Sequence, residues 1–224
     1  MHASDPLIPA DGDPGDDRRQ LAAALSHDVR QHARLVSSYC SLLDRSVLDD
    51  RQRALLAVAS DHADRLQQML GALVRWLRLA DEPLDLVPCA LDSLWRDATA
   101  DLLAEVSADP LPVINVDPAM MTELLRELAR NAARYHGHRA HIVLGARREG
   151  PDWILEISDD GPGIPSDQRE RVLLPLHRLH TWEQVHGHGM GLTLAARIAA
   201  RHGGDLRITH APTGGCMVQV RIPA

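Results

Sequence analysis

The chain has 224 residues and is 45% hydrophobic and 25% charged, which suits a soluble protein of one large or two small domains. Its formal net charge is −7, so no overall basic field exists to hold nucleic acid or an anionic membrane. No apolar run reaches the roughly 18–20 residues that span a bilayer. No charged-then-apolar leader opens the chain. The cysteines Cys40, Cys89 and Cys216 form no CxxC pair, and a reduced, cytoplasmic setting is expected. Phe is absent, so the core is expected to rest on Leu, Val, Ile, Ala and Met.

Residues 1–17 are rich in Asp, Pro and Gly and read as a disordered acidic tail. From Arg18 to Ala80 the only helix breaker is Gly71. Apolar residues recur there at steps of three and four, as in Leu21, Leu25, Val29, Val36 and then Leu55, Val58, Leu66, Met69. That spacing predicts amphipathic helices over about 17–46 and 50–80, with Asp49 and Asp50 as cap chemistry. An antiparallel helical hairpin follows, each arm about 45 Å long at 1.5 Å per residue. Two such helices cannot enclose a core alone, and pairing with a second copy into a four-helix bundle is the natural solution. Residues 18–82 form this first domain in the reading.

Asp81-Glu82-Pro83 ends the helical pattern, and residues 84–224 read as a second, α+β domain. Strands are expected at Leu84–Cys89, Val113–Val116, Ala140–Arg147, Trp153–Ser158, Asp205–Thr209 and Cys216–Ile222. Helices are expected at Leu91–Val106, Pro118–Tyr135 and Met190–Arg201. Asp117-Pro118 supplies an N-cap and a first-turn proline to the second of these. Residues 164–188 read as loop.

In the helix 118–135, Glu127, Asn131, Arg134 and Tyr135 fall at i, i+4, i+7 and i+8, a single stripe beside the apolar Leu124, Leu125, Leu128 and Ala132. An amide oxygen suits Mg²⁺, a hard cation, while Arg134 suits phosphate and Tyr135 a stacked base. A solvated helix edge would give the same stripe. Ser158-Asp159-Asp160-Gly161-Pro162-Gly163 ends a predicted strand. Its acid can accept from an exocyclic amine, and its glycines allow close approach; a plain Asp-Gly turn reads the same way. Gly187-His188-Gly189-Met190-Gly191-Leu192 opens a helix, and glycines there expose amides to phosphate. GxGxG is not the dinucleotide GxGxxG, and no P-loop motif is present.

In this order and at these separations, the three motifs resemble the ATP-binding domain shared by histidine kinases, gyrase, mismatch-repair ATPases and the heat-shock chaperone ATPase. Asn131 matches the N box, Asp159-x-Gly161-x-Gly163 the G1 box and Gly187–Leu192 the G2 box. Leu173-Leu174-Pro175-Leu176-His177-Arg178 looks like the kinase F box, with Leu for both usual phenylalanines. His202-Gly203-Gly204 and Gly214-Gly215 also match kinase habits. The resemblance implies ATP–Mg²⁺ as ligand, an α/β sandwich, and an acid at Glu127 that assists catalysis; it brings Arg178 into the site.

Ser26-His27-Asp28-Val29-Arg30-Gln31 resembles the H box of histidine kinases, nearest the phytochrome-like group. The resemblance makes His27 the phosphoacceptor and Asp28 the acid beside it. Gln31 shares the His27 face one helical turn on, where an amide can align water on a partner's phosphoaspartate. His32 stands where the family usually has proline. Among 13 histidines, those near 136–141 and 177–188 are solvated residues or a zinc site; no cysteine sits at ligand spacing.

The expectation is a homodimeric sensor histidine kinase core that phosphorylates His27 from ATP–Mg²⁺ and passes the phosphoryl group to a response-regulator aspartate. The short tail leaves no sensor domain, which implies a separate upstream partner or a piece of a longer protein. The rivals are a histidine phosphotransferase without ATPase activity, an anti-sigma-type serine kinase and a non-catalytic dimerisation scaffold.

Overall fold

A computed structural model describes residues 31–43, 47–134, 140–179, 189–212 and 214–223. The chain divides into two compact units, Met1–Leu77 and Arg78–Ala224. Among the described residues no helix is long and apolar enough to cross a membrane.

The first unit is an antiparallel helical hairpin. Helix α1 covers residues 31–42 and α2 covers Asp50–Arg78. The start of α2 is a reciprocal capping box. The Gln52 amide donates to Asp49 Oδ1 at 2.7 Å, and the Asp49 amide donates to Gln52 Oε1 at 3.0 Å, which satisfies two of the amides that a helix end leaves unpaired. Small and apolar side chains of both arms (Ala33, Cys40, Leu56 and Ala63) are buried. Ser37 fixes the pairing of the arms. Its hydroxyl donates to Asp64 Oδ1 and accepts from the Gln67 amide, both at 2.9 Å. From His32 onward the described part of α1 runs without a break to residue 42.

The second unit is an α/β sandwich. A five-stranded sheet runs in the order β2-β4-β5-β7-β6, built from Glu105–Ala108, His141–Glu149, Asp152–Asp159, Cys216–Ile222 and Asp205–His210. Among the described residues only the β2–β4 pairing is parallel. Strands β1 (Val87–Ala90) and β3 (Val113–Val116) form a separate antiparallel ribbon. Helices α3 (Leu91–Thr99), α4 (Pro118–Arg134) and α5 (Gly191–Arg201) complete the unit. Alternation along the central strands buries Ile142, Leu144, Leu155, Ile157, Val218 and Val220, while α4 and α5 bury Met121, Leu124, Leu125, Leu128 and Ile198. Trp95 joins this core, so one aromatic supplements the expected aliphatic set. The other sheet face carries a charged lattice in which Arg147 pairs with Glu156, and Arg221 with Asp205 and Asp152.

Two expected elements differ. The helix expected over Leu91–Val106 ends at Thr99, and Glu105–Ala108 is instead the edge strand β2. A turn with Leu102 N–H donating to the Thr99 carbonyl separates them. The first strand lies at Val87–Ala90 rather than Leu84–Cys89, because the four residues of β3 set its register. Within the expected loop 164–188, short 3₁₀ turns form at Ser166–Gln168 and Arg171–Leu173.

Asp117 begins α4 as anticipated. Its Oδ1 accepts the Met120 amide at 2.9 Å, and its Oδ2 accepts the Asp85 amide at 3.1 Å. Asp117→Ala removes both acceptors and should lower the unfolding free energy by about 1–3 kcal/mol; a urea midpoint equal to wild type would show that the cap contributes nothing.

Candidate functional site

The G1 turn is fixed by backbone contacts at the end of β5. The Gly161 amide donates to Asp159 Oδ1 at 2.9 Å, and the Cys216 amide reaches the same oxygen at 3.3 Å. Two donors on one oxygen set the carboxylate plane. The start of β7 comes this close only because residue 215 is glycine. Its φ is 82°, and a Cβ there would run into the Asp159 carbonyl oxygen and lie 2.8 Å from the Gly161 nitrogen, a position barred to other L-residues.

A cleft of about 700 Å³, open solvent included, lies beside this turn, within the size range of small-molecule sites. From the expected set, Asn131 and Arg134 line it from the last turns of α4, Asp159 and Gly163 from the G1 turn, and Arg178, Gly189, Gly191 and Leu192 from the F-box segment and the start of α5. Residues 131, 159 and 191 are thus brought to one cleft although they are 28 and 32 positions apart.

Glu127 is not in the lining. It lies one turn before Asn131, and a Cβ on Gly191 would meet its Oε2 at 2.8 Å. Glycine at 191 therefore lets the carboxylate come against the first residue of α5, where the helix dipole favours negative charge. Among the described residues no hydrogen bond or ion pair holds this carboxylate. Burial pushes its pKa above the usual carboxylate value, and the cations Arg134 and Arg130 oppose that rise. Gln31 is exposed on α1. His27, Asp28, Tyr135 and Gly187 lie outside the described residues.

Sequence reasoning missed part of the wall. Pro162, Ile164, Val172, His177, Leu179 and Cys216 also line the cleft. Cys216 had one available signal, since it directly follows Gly214-Gly215. The F-box segment holds a backbone outlier. Leu176 has φ 62°, which costs a bulky residue free energy, and its amide donates to the Gly189 carbonyl at 3.1 Å. The two flanks of 177–188 are joined there. Among the described residues no group of three His, Cys, Asp or Glu is arranged to hold a metal by itself.

With this geometry in view, residues 116–224 match the family of histidine kinase-, DNA gyrase B- and HSP90-like ATPases. That segment belongs to this family. Along 92% of its length the chain is 25% identical to cyanobacterial phytochrome A of Nostoc, of which it covers 28%. It is 34% identical over 182 residues to the sensor protein kinase CarS of Pseudomonas aeruginosa, with 77% of this chain and 40% of that protein aligned. The chain therefore spans well under half of these curated relatives. A crystal structure of full-length ShkA in complex with AMPPNP superposes with a TM-score of 0.69 at 23% identity, covering 92% of this chain and 46% of the other. The fold is that of the histidine kinases, and the chain is homologous to sensor kinases of this type.

Burial, and next to it the Asp159 carboxylate, push the Cys216 thiol pKa up to about 12. Only the thiolate reacts with iodoacetamide. At pH 7.5 Cys216 in the native protein should alkylate roughly a thousandfold more slowly than a thiol of ordinary pKa near 8.5. Timed quenching with peptide mass spectrometry checks this, and labelling at the denatured rate would contradict the described environment.

Proposed function

We propose that the chain is the kinase core of a two-component system, transferring the γ-phosphoryl group of ATP to His27 and then to a response-regulator aspartate. The observation that carries the reading is the convergence of Asn131, Asp159 and Gly191 on one cleft. The AMPPNP in the ShkA complex, a nucleotide triphosphate analogue, favours ATP as the ligand of this fold.

In this reading Asp159, oriented by the Gly161 and Cys216 amides, accepts a hydrogen bond from the adenine amine. The start of α5, with Gly189, Gly191 and Leu192, presents amides and a positive dipole end to the phosphates, with Gly187 of the same motif assigned to this role, and Gly163 lets the backbone approach. Arg134 and Arg178 counter phosphate charge, and Tyr135 stacks on the base. Mg²⁺ fits the donor set: it binds through one or two protein oxygens plus phosphates, Asn131 offers a carboxamide oxygen in the cleft, and no all-protein cage competes among the described residues. When bound, the ion neutralises charge on the phosphate oxygens. A neutral ring nitrogen of His27 forms the N–P bond as the bond from the γ-phosphorus to the bridging oxygen breaks and ADP leaves. Asp28 takes or orients the proton on the other ring nitrogen, and Glu127 assists from the N-box helix. Transfer to an aspartate carboxylate then breaks the N–P bond.

A second copy completes the hairpin's core. Leu35, Val36, Tyr39, Leu42, Leu55 and Val58 are exposed in the single chain, more apolar surface than two isolated arms leave in contact with water. Gln31, exposed on α1 and four residues after His27 in sequence, aligns water on the phosphorylated regulator and gives phosphatase activity.

Asp159→Ala should weaken ATP binding by roughly 10–100-fold, as a lost hydrogen bond of a charged group costs about 1.5–3 kcal/mol. His27→Gln should keep that affinity and lose acid-labile phosphate. Calorimetric titration and phosphoprotein assays read the two separately, and wild-type titration of Asp159→Ala would refute the cleft assignment.

The phosphatase step has its own readout. Gln31→Ala should slow dephosphorylation of the regulator while His27 phosphorylation proceeds at the wild-type rate; undiminished turnover in that variant reduces Gln31 to a helix-surface residue.

A further inference from the structure

The F-box segment contains a turn whose sequence runs against its shape. The His177 amide donates to the Leu174 carbonyl at 3.2 Å, so Leu174-Pro175-Leu176-His177 is a closed four-residue turn. Proline at its second position and a positive φ at its third, 62° at Leu176, mark it as type II. That third position ordinarily takes Gly or Asn, because a Cβ crowds the backbone there. Burial does not explain the leucine either, since its side chain is nearly half exposed.

Hydrogen bonding gives the reason for the strained form. Turn types I and II differ by a flip of the central peptide, whose N–H is here that of Leu176. In the observed form this N–H donates to the Gly189 carbonyl at 3.1 Å. In type I, the form that suits leucine, it would point away from that carbonyl. Gly189 is shaped to receive the turn. Its φ is 70°, and a Cβ on it would lie 2.9 Å from Arg178 Cγ, 3.1 Å from the His177 carbonyl oxygen and 3.2 Å from the Leu176 carbonyl carbon. Residues 176–178 therefore lie flat against the backbone at 189, with no room for a methyl group between. On the incoming side the Leu174 amide donates to the Arg171 carbonyl at 3.0 Å, and Val172 is buried. His177, Arg178 and Leu179, which follow the turn, line the cleft, as does Gly189. A bulky residue at positive φ beside a binding cleft is strain that the surrounding contacts maintain.

We propose that Leu176 is a positioning residue for the phosphates of the nucleotide: its left-handed backbone, clasped to Gly189, sets the direction in which Arg178 enters the cleft. The inference rests on the nucleotide reading above, in which Arg178 counters phosphate charge. What matters at 176 is then the backbone φ and the N–H rather than the leucine side chain. The effect falls on ligands that carry phosphates, because that reading places the base at Asp159.

The test is calorimetric titration of the full chain with ATP–Mg²⁺ and, separately, with adenosine. Leu176→Gly frees the positive φ and keeps the amide; its ATP affinity should match wild type within about twofold or exceed it. Leu176→Pro fixes φ at about −65° and removes the N–H; its ATP affinity should fall roughly tenfold while adenosine affinity stays within about twofold of wild type. Wild-type ATP affinity in Leu176→Pro overturns the inference. An equal loss for adenosine does so too, as it marks general damage to the cleft. A Leu176→Gly variant that binds ATP as poorly as Leu176→Pro gives the role to the side chain and also overturns it. If Leu176→Pro does not unfold cooperatively, Leu176→Val decides: β-branching disfavours the same φ, and wild-type ATP affinity there overturns the inference. A wild-type protein that binds neither ligand refutes the nucleotide reading itself, whereas normal wild-type binding with an unaffected Leu176→Pro refutes only the role of Leu176.

Discussion

The close approach of β7 to the end of β5 is the constraint on which the site depends. Strand β7 pairs with β5 through Ser158↔Met217, and the chain then passes so near Asp159 that residue 215 can carry no side chain. That proximity delivers the Cys216 amide to the Asp159 carboxylate and places the thiol in the cleft wall. Gly163 is packed the same way, with a Cβ there only 3.0 Å from the Gly215 carbonyl oxygen. The glycines of the G1 turn and of the 214–215 turn are thus two halves of one packing arrangement. A substitution in either would move the carboxylate before it altered any surface that a ligand touches.

The opposite wall has the inverse construction. Helices α4 and α5 carry their functional residues near one end and their anchors at the other. Asn131 and Arg134 are in the last turns of α4, whereas Asp117 holds its start; Gly191 begins α5, whereas His202 and Arg201 close it. A helix held at one end and packed along an apolar stripe transmits displacement as a nearly rigid rod, because cores at native density do not deform continuously.

Much of this was legible in the sequence where local chemistry and periodicity agree. Asp117-Pro118 announced α4, the three- and four-residue steps announced α2, and Asp159-x-Gly161-x-Gly163 together with the glycines at 189 and 191 announced the cleft. Strand β2 was not legible. All four of its residues are exposed, so there is no alternation to read, and its pairing is with residues 141–144, beyond the reach of any local pattern. No Gly or Pro stands at 100–104 to end the helical run. Cys216 was passed over for a different reason. A cysteine is judged from sequence by its spacing to other cysteines, whereas its importance here comes from a backbone amide and from burial. Arg201 lay in a helical pattern as one more basic residue, and only the fold shows that its fork meets carbonyls about 120 positions earlier.

The two acids of the cleft region show why residue type alone does not assign a role. Asp159 is held by two backbone donors on one oxygen, so its carboxylate has a fixed plane and suits recognition. Glu127 has burial on one side and the diffuse attraction of Arg134, Arg130 and Arg126 on the other, with no described donor fixing its oxygens. A carboxyl whose pKa is raised by burial and whose position is set by packing alone is suited to exchanging a proton or changing partner as charge nearby changes. Gly191 makes that environment possible, since a side chain there would displace the Glu127 carboxylate from the start of α5. The same glycine also lines the cleft. One residue thus serves both the cleft wall and the setting of the neighbouring acid, which ties the electrostatics of the acid to the shape of the cleft.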